Sequence, residues 1–268
     1  LEQASPEALA RVLDGAEAVV HLAARAHAMG DRGPGAEAAY RAANADATAR
    51  LALAAVASKL PRFVLASSVK VNGEATIPGR PFRPDDPPAP ADAYGRSKRD
   101  AEIALADACR GSSTAAIVLR LPLVIGPGAR GNVARLVDAI EAGRTLPVGA
   151  IDNRRSVLGL ANLADAIVAA LDALPAPAGV HFVADADAVS TPALVRAIAG
   201  ALGRPVPLAF VPVALLKLGA RLAGRGAEFG RLAGSLEVDA SSFTAATGWK
   251  PGHTLGEELD RLARSRPS

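Results

Sequence analysis

Residues 62–72 read Arg-Phe-Val-Leu-Ala-Ser-Ser-Val-Lys-Val-Asn, and residues 93–98 read Ala-Tyr-Gly-Arg-Ser-Lys. The apolar run Arg62-Phe63-Val64-Leu65-Ala66 has the length and composition of a buried strand, and it ends in two hydroxyls, Ser67 and Ser68. The second stretch opens a helix predicted over Ala93 to Ala108. Between them, from Asn72 to Ala93, prolines and glycines gather with Asp85 and Asp86. That predicts a loop of a length usually kept for function.

The same alternation extends outward in both directions. Upstream, an amphipathic helix is predicted over Pro6 to Leu13, a buried strand over Ala18 to Leu22, and a long helix from Ala36 to Ser58 whose exit is marked by Pro61. Downstream come a strand over Ala115 to Leu121, a turn at Gly126-Pro127-Gly128, a helix over Leu163 to Ala173 and a strand over Val180 to Ala184. Thr191-Pro192 reads as an N-cap followed by proline at the first helical position, opening a helix to about Leu202. Strands that alternate with helices predict an α/β fold on a parallel sheet. From Arg204 onward, short helices and proline turns read as a smaller lobe packed over it.

Composition narrows the function. The 268 residues suffice for one large domain or two coupled lobes. Lys and Arg total 30 against 27 acidic residues, a net charge of +3, which describes a mixed surface and not a nucleic-acid stripe. The single cysteine, Cys109, rules out an internal disulfide and a cysteine metal cluster, and a reducing cytoplasm is the expected setting. His21, His27, His181 and His253 lack metal-ligand spacing, so no metal site is expected. No uncharged apolar run reaches the ~18 to 20 residues of a membrane span. The nearest, Pro205 to Leu216, stops at Lys217 and reads as a buried loop and helix of the second lobe, with peripheral membrane contact as the other possibility.

Tyr94 and Lys98, four residues apart at a helix start, project from one helix face. A phenol of ordinary pKa about 10 is a poor acid or base at neutral pH. A neighbouring ammonium favours phenolate, so Lys98 is expected to pull Tyr94 down and make it a proton carrier. Ser68 sits at the carboxyl end of a strand, where open α/β sheets place ligands.

Strand, Ser-Ser, proline-rich loop and Tyr-x-x-x-Lys helix in that order resemble the extended short-chain dehydrogenase/reductases of the NAD-dependent epimerase/dehydratase kind. His21-Leu22-Ala23-Ala24 resembles the family's H-x-A-A strand end, and Asn44-Ala45-Asp46-Ala47-Thr48 its N-x-x-G-T motif with Ala47 for glycine. Asn153-Arg154-Arg155-Ser156 before Leu163-Ala164-Asp165-Ala166 resembles the segment whose arginine grips the diphosphate of a sugar nucleotide. Gly248-Trp249-Lys250-Pro251 resembles the closing L-G-W-x-P signature.

The resemblance implies a Rossmann-type doubly wound sheet, drawn from residues 1–127 and 158–184, and a substrate-binding lobe from 128–157 and 185–268. It implies Ser68, Tyr94 and Lys98 as catalytic residues acting with NAD or NADP. The cofactor would lie against His21, Leu22, Ala23, Ala24, Asn44, Ala66, Ser67, Tyr94, Lys98, Pro122, Leu123 and Val124. A UDP-linked sugar would contact Ser68, Val69, Lys70, Asn132 and Arg155, with Arg154 and Gly131 nearby. Family members commonly dimerise through the two alanine-rich helices, so a homodimer is expected.

Within the family, dehydratases carry an Asp-Glu pair after the catalytic hydroxyl, where this chain has Val69 and Lys70, so dehydration is disfavoured. The run from Ser67 to Glu74, with Asn153 to Ser156, most resembles UDP-N-acetylquinovosamine dehydrogenases. Reduction of a UDP-linked 4-keto-6-deoxy-N-acetylhexose in polysaccharide synthesis is the first expectation. A UDP-sugar 4-epimerase is the second, although Leu123 stands where many epimerases have asparagine. A non-catalytic module of the same fold and a reductase of apolar ketones are the remaining alternatives. The chain opens at Leu1, and no glycine-rich strand-to-helix turn precedes His21. The expectation is therefore an N-terminally truncated fold with weak NAD binding of its own.

Overall fold

The computed structural model describes residues 4–26 and 35–266. His27 lies outside them. In chain order the elements are α1 (Pro6–Leu13), β1 (Val19–His21), α2 (Ala36–Tyr40), a π-helical stretch (Arg41–Asp46), α3 (Ala47–Ala57), β2 (Arg62–Ser68), a 3-10 turn (Val69–Val71) and α4 (Ala93–Cys109). There follow β3 (Ala115–Leu121), β4 (Leu123–Ile125), α5 (Asn132–Glu141), β5 (Val157–Gly159), α6 (Leu160–Asp172), β6 (Gly179–Phe182) and α7 (Thr191–Ala201). The chain closes with α8 (Val213–Leu222), α9 (Gly226–Ala233), α10 (Ser241–Thr247) and α11 (Leu255–Arg264).

Four parallel strands form the main sheet in the order β1-β2-β3-β6, and β4 pairs with β5 in a second parallel ladder. Because side chains alternate along a strand, β2 feeds two cores. Phe63 and Leu65 pack with Leu51, Ala55, Ala101 and Leu105 of α3 and α4 on one face. Val64 turns to the other, joining Ile117, Leu119, Ala166 of α6, Phe243 and Trp249. Burial on both faces explains why β2 reads as an unbroken apolar run instead of an alternating one. A third cluster, Ile125, Val137, Ile140, Val195, Ile198, Leu259 and Leu262, gathers α5, α7 and α11 around β4 and β5.

The expected α/β class and parallel sheet are present, with differences of detail. The helix expected over Ala36 to Ser58 contains a π-helical stretch at Arg41–Asp46. A π turn adds a residue to the helical repeat, and such turns concentrate at functional positions. The N-cap of α7 is Ser190, whose hydroxyl accepts from the Ala193 N–H at 3.2 Å, and not Thr191. Thr191 is buried, its hydroxyl accepting from Asn153 at 3.0 Å and donating to the Leu232 carbonyl at 3.0 Å. The Pro205 to Leu216 stretch is not buried either: Phe210 is 72% exposed and α8 has no buried residue.

Candidate active site

β2 delivers its two terminal hydroxyls in opposite directions. Ser67 has the parity of Phe63 and Leu65, so it faces α4 and donates to the Glu102 carboxylate. Ser68 is free of that partner; its Oγ accepts the Lys70 N–H at 3.3 Å, capping the 3-10 turn, and it lies close enough to the Tyr94 phenol to lower its pKa.

The start of α4 is held against that turn. Asp92 caps the helix by accepting the Gly95 N–H at 2.7 Å. A Cβ on Gly95 would lie 2.7 Å from the Lys70 carbonyl oxygen, inside any permitted contact, so only glycine lets the helix approach this closely. The approach sets Tyr94 beside Ser68. The Tyr94 ring also meets Tyr40 edge-on, with centroids 6.3 Å apart, and Lys70 Nζ lies 6.0 Å from its centroid. Lys98, one helical turn on, is 2% exposed.

The electrostatics of the protein alone run against the expectation that Lys98 acidifies Tyr94. Burial pushes the phenol up to about 12; the Ser68 hydroxyl pulls it back, while Asp92 and Tyr40 push the same way as burial. Burial pulls Lys98 down to about 8, with Glu102 the opposing influence. Desolvation is the largest influence on both groups and disfavours both charged forms.

Lys70, expected to contact substrate, sits between two carboxylates, Asp92 at 2.5 Å and Glu74 at 3.5 Å. Burial acts to raise Asp92, but the Lys70 hydrogen bond and the Gly95 N–H hold it below the usual carboxylate range. Val69 is buried. Arg155, expected at the diphosphate of the sugar nucleotide, is engaged within the protein. Its guanidinium donates to the carbonyls of Arg231 at 2.7 Å and Gly234 at 2.8 Å, fastening α9, and burial lowers its pKa. Arg231 then reaches Glu74 at 3.4 Å, so a polar chain runs from Tyr94 through Lys70, Glu74 and Arg231 to Arg155. Arg154 is on the surface, paired with Glu237 at 2.8 Å. Asn132 is exposed at the first position of α5, after Gly131 with φ +65°.

The residues expected along a dinucleotide divide into two kinds. His21 is 3% exposed, its Nε2 has no hydrogen-bond partner, and burial followed by repulsion from Lys98 lowers its pKa to about 4. Leu22, Ala23 and Ala24 emerge exposed beyond the strand end. Asn44, by contrast, is already engaged: its Oδ1 accepts the Arg25 N–H at 2.8 Å and its Nδ2 donates to the Arg25 carbonyl at 3.1 Å and Ser97 Oγ at 2.8 Å. The π stretch thus ties the chain after β1 to α4, a positioning role and not a free contact. Ala66, Leu123 and Val124 are half-buried and Pro122 is buried, next to the end of β3.

Sequence reasoning passed over four residues that build this site. Asp92 could have been found as an N-cap aspartate two residues before Tyr94. Glu102 stands four residues after Lys98 on the same helix face, but its partners on β2 and β3 are visible only in three dimensions. Tyr40 and Arg120 gave no local signal.

The profile of the NAD dependent epimerase/dehydratase family matches residues 2–184. A UDP-glucose 4-epimerase of Vibrio cholerae is 40% identical over 248 residues, covering 92% of this chain and 76% of that protein. An N-acetyl-α-D-glucosaminyl-diphospho-ditrans,octacis-undecaprenol 4-epimerase of Escherichia coli O157:H7 is 26% identical, over 95% of this chain and 79% of its own length. In fold, a UDP-glucuronic acid 4-epimerase from Bacillus cereus in complex with NAD superposes with a TM-score of 0.77 at 20% identity, covering 96% of this chain and 76% of that one. The extent of the profile match and the 40% identity lead to one conclusion: the chain belongs to the NAD dependent epimerase/dehydratase family.

Proposed function

We propose that this chain is a 4-epimerase of a UDP-linked hexose, using NAD and the Ser68, Tyr94 and Lys98 set. The observation that carries the proposal is the Ser68 hydroxyl at a strand end, close enough to the Tyr94 phenol to lower its pKa, with a buried ammonium one helical turn behind it. The 40% identity to a UDP-glucose 4-epimerase favours epimerisation over the 4-keto reduction that the Ser67 to Glu74 run suggested. The diphospho-undecaprenol relative has the sugar on a different carrier, and the common chemistry is inversion at C4 of a diphosphate-linked hexose.

The residues fit a dinucleotide. A buried ring nitrogen without a partner at His21, the exposed turn Leu22 to Ala24 and the buried Lys98 offer polar and apolar contact at the carboxyl edge of the sheet. NAD held there would supply a hydride acceptor and donor for the sugar C4 and, in its oxidised form, a positive charge. Tyr94 Oη accepts the C4 hydroxyl proton and gives it back after the sugar has turned its other face. Ser68 Oγ orients the same hydroxyl. Lys98 keeps a positive charge near the phenol below about pH 8. A phenol at about 12 is a proton donor until cations gather round it, so ligand binding and Lys98 together must bring it toward neutrality. Arg155 acts through α9 as a positioning residue for the sugar-nucleotide lobe, residues 128–157 and 185–268. Leu53 and Ile103, 59% and 48% exposed on α3 and α4, support a homodimer through these helices.

The test is conversion of UDP-glucose to UDP-galactose and back by purified protein with NAD. Equal flux in both directions without net nucleotide reduction supports epimerisation. Net oxidation of NADH by a 4-keto-6-deoxy sugar nucleotide, without epimer, would favour the reductase instead.

A further inference from the structure

α8 presents two different faces. Leu216 and Ala220, four residues apart, turn inward toward α9, and these are the least exposed of its residues. Leu215, Leu218 and Leu222, spaced by three and four, turn outward at 60%, 56% and 82% exposure, with Phe210 at 72% just before the helix. A contiguous row of large apolar side chains in water marks an interaction surface. The charge around it is mostly of one sign, the nearby carboxylate Glu228 on α9 being paired with Arg225 at 2.9 Å. Residues 188–227 contain no Asp or Glu, while Arg196, Arg204, Lys217, Arg221 and Arg225 fall within them. Lys217 and Arg221 flank the leucine row and, with Val213 and Phe229, line a groove of about 540 Å³ between α8 and α9.

We propose that this face docks the protein on an anionic lipid bilayer, the leucines entering the headgroup boundary and Lys217 and Arg221 meeting lipid phosphates. Charge selects this occupant. A second copy packed symmetrically on the same face would set Lys217 and Arg221 against their own counterparts, and the nearby carboxylate, Glu228, is already engaged by Arg225. An apolar row beside basic side chains, on a helix lying along a surface, is the pattern of interfacial membrane binding. No described helix is long and apolar enough to cross a membrane, so the contact is with the surface.

The experiment is flotation of the full chain with vesicles of phosphatidylcholine alone or mixed with phosphatidylglycerol. The protein is expected to float with the mixed vesicles, at least tenfold more than with neutral ones, and to be released by raised salt. Leu218→Glu with Leu222→Glu, and separately Lys217→Ser with Arg221→Ser, should each cut flotation at least tenfold; all four side chains are exposed, so circular dichroism should match wild type. Failure to float with anionic vesicles, or equal flotation of both double variants and wild type, overturns the proposal. So does a dimer mass that Leu218→Glu with Leu222→Glu abolishes while vesicles are ignored, which would assign the face to a second copy.

Discussion

Arg120 Nη2 lies 2.7 Å from Glu102 Oε2, both side chains nearly sealed from water at 5% and 8% exposure. Arg120 Nε donates to the other carboxylate oxygen at 3.0 Å, and Nη1 donates to Asn72 Oδ1 at 2.9 Å. Glu102 also takes the Ser67 hydroxyl. The pair therefore binds β3 and α4 to the end of β2, directly behind the proposed catalytic hydroxyl.

Breaking that pair from one side should be costly. Glu102→Gln leaves a buried guanidinium without its counter-ion, a change worth about 3 to 5 kcal/mol of stability. Replacing both, as Glu102→Leu with Arg120→Met, should recover most of the loss. Denaturant titration checks this, and a single variant within about 1 kcal/mol of wild type would contradict it.

Lys98 should cost stability at neutral pH. Its pKa is near 8 in the folded protein against the ordinary lysine value of 10.5, so between those values the unfolded chain holds more protons. Stability from this group therefore rises with pH from about 8 to about 10.5, and below that window the penalty is full, of order 1 to 3 kcal/mol. Lys98→Met should melt above wild type at pH 7 and lose that advantage by pH 10.5, while losing activity. Thermal melts of both proteins across the window measure the difference, in which the Tyr94 titration cancels.

His21 gives the opposite end of the pH range. With its folded pKa near 4 against 6.5, its contribution is intact above about 6.5 and is lost as pH falls toward 4. His21→Leu should flatten stability over that interval in calorimetry; an unchanged slope would show that the imidazole is not held neutral by burial.

Gly95 tests the approach of α4 to the turn after β2. Gly95→Ala places a methyl 2.7 Å from the Lys70 carbonyl, so the helix start must move away from Ser68. We expect a helix-start shift visible in the amide resonances of Tyr94 and Lys70 and a fall in turnover of at least tenfold, although alanine favours helix elsewhere.

Much of this architecture was legible along the chain. β2 and β3 stood out because strands buried on both faces are continuous apolar runs, and α4 because a long alanine-rich segment follows a proline loop. The π stretch was hidden, since helical propensity does not distinguish a π turn from an α turn, and with it the engagement of Asn44 by Arg25 and Ser97. The role expected for Arg155 followed from a motif alone, and its contacts with backbone carbonyls 76 and 79 residues away are visible only in three dimensions. The electrostatic expectation for Tyr94 failed because spacing reports the distance to Lys98 but not the burial of both.

The proton carrier is the centre of the account, and Tyr94→Phe removes only its hydroxyl. Interconversion of UDP-glucose and UDP-galactose should fall by about 10²- to 10⁴-fold in that variant, with folding and UDP binding retained. A variant that interconverts the two sugars at the wild-type rate would contradict the role given to this phenol.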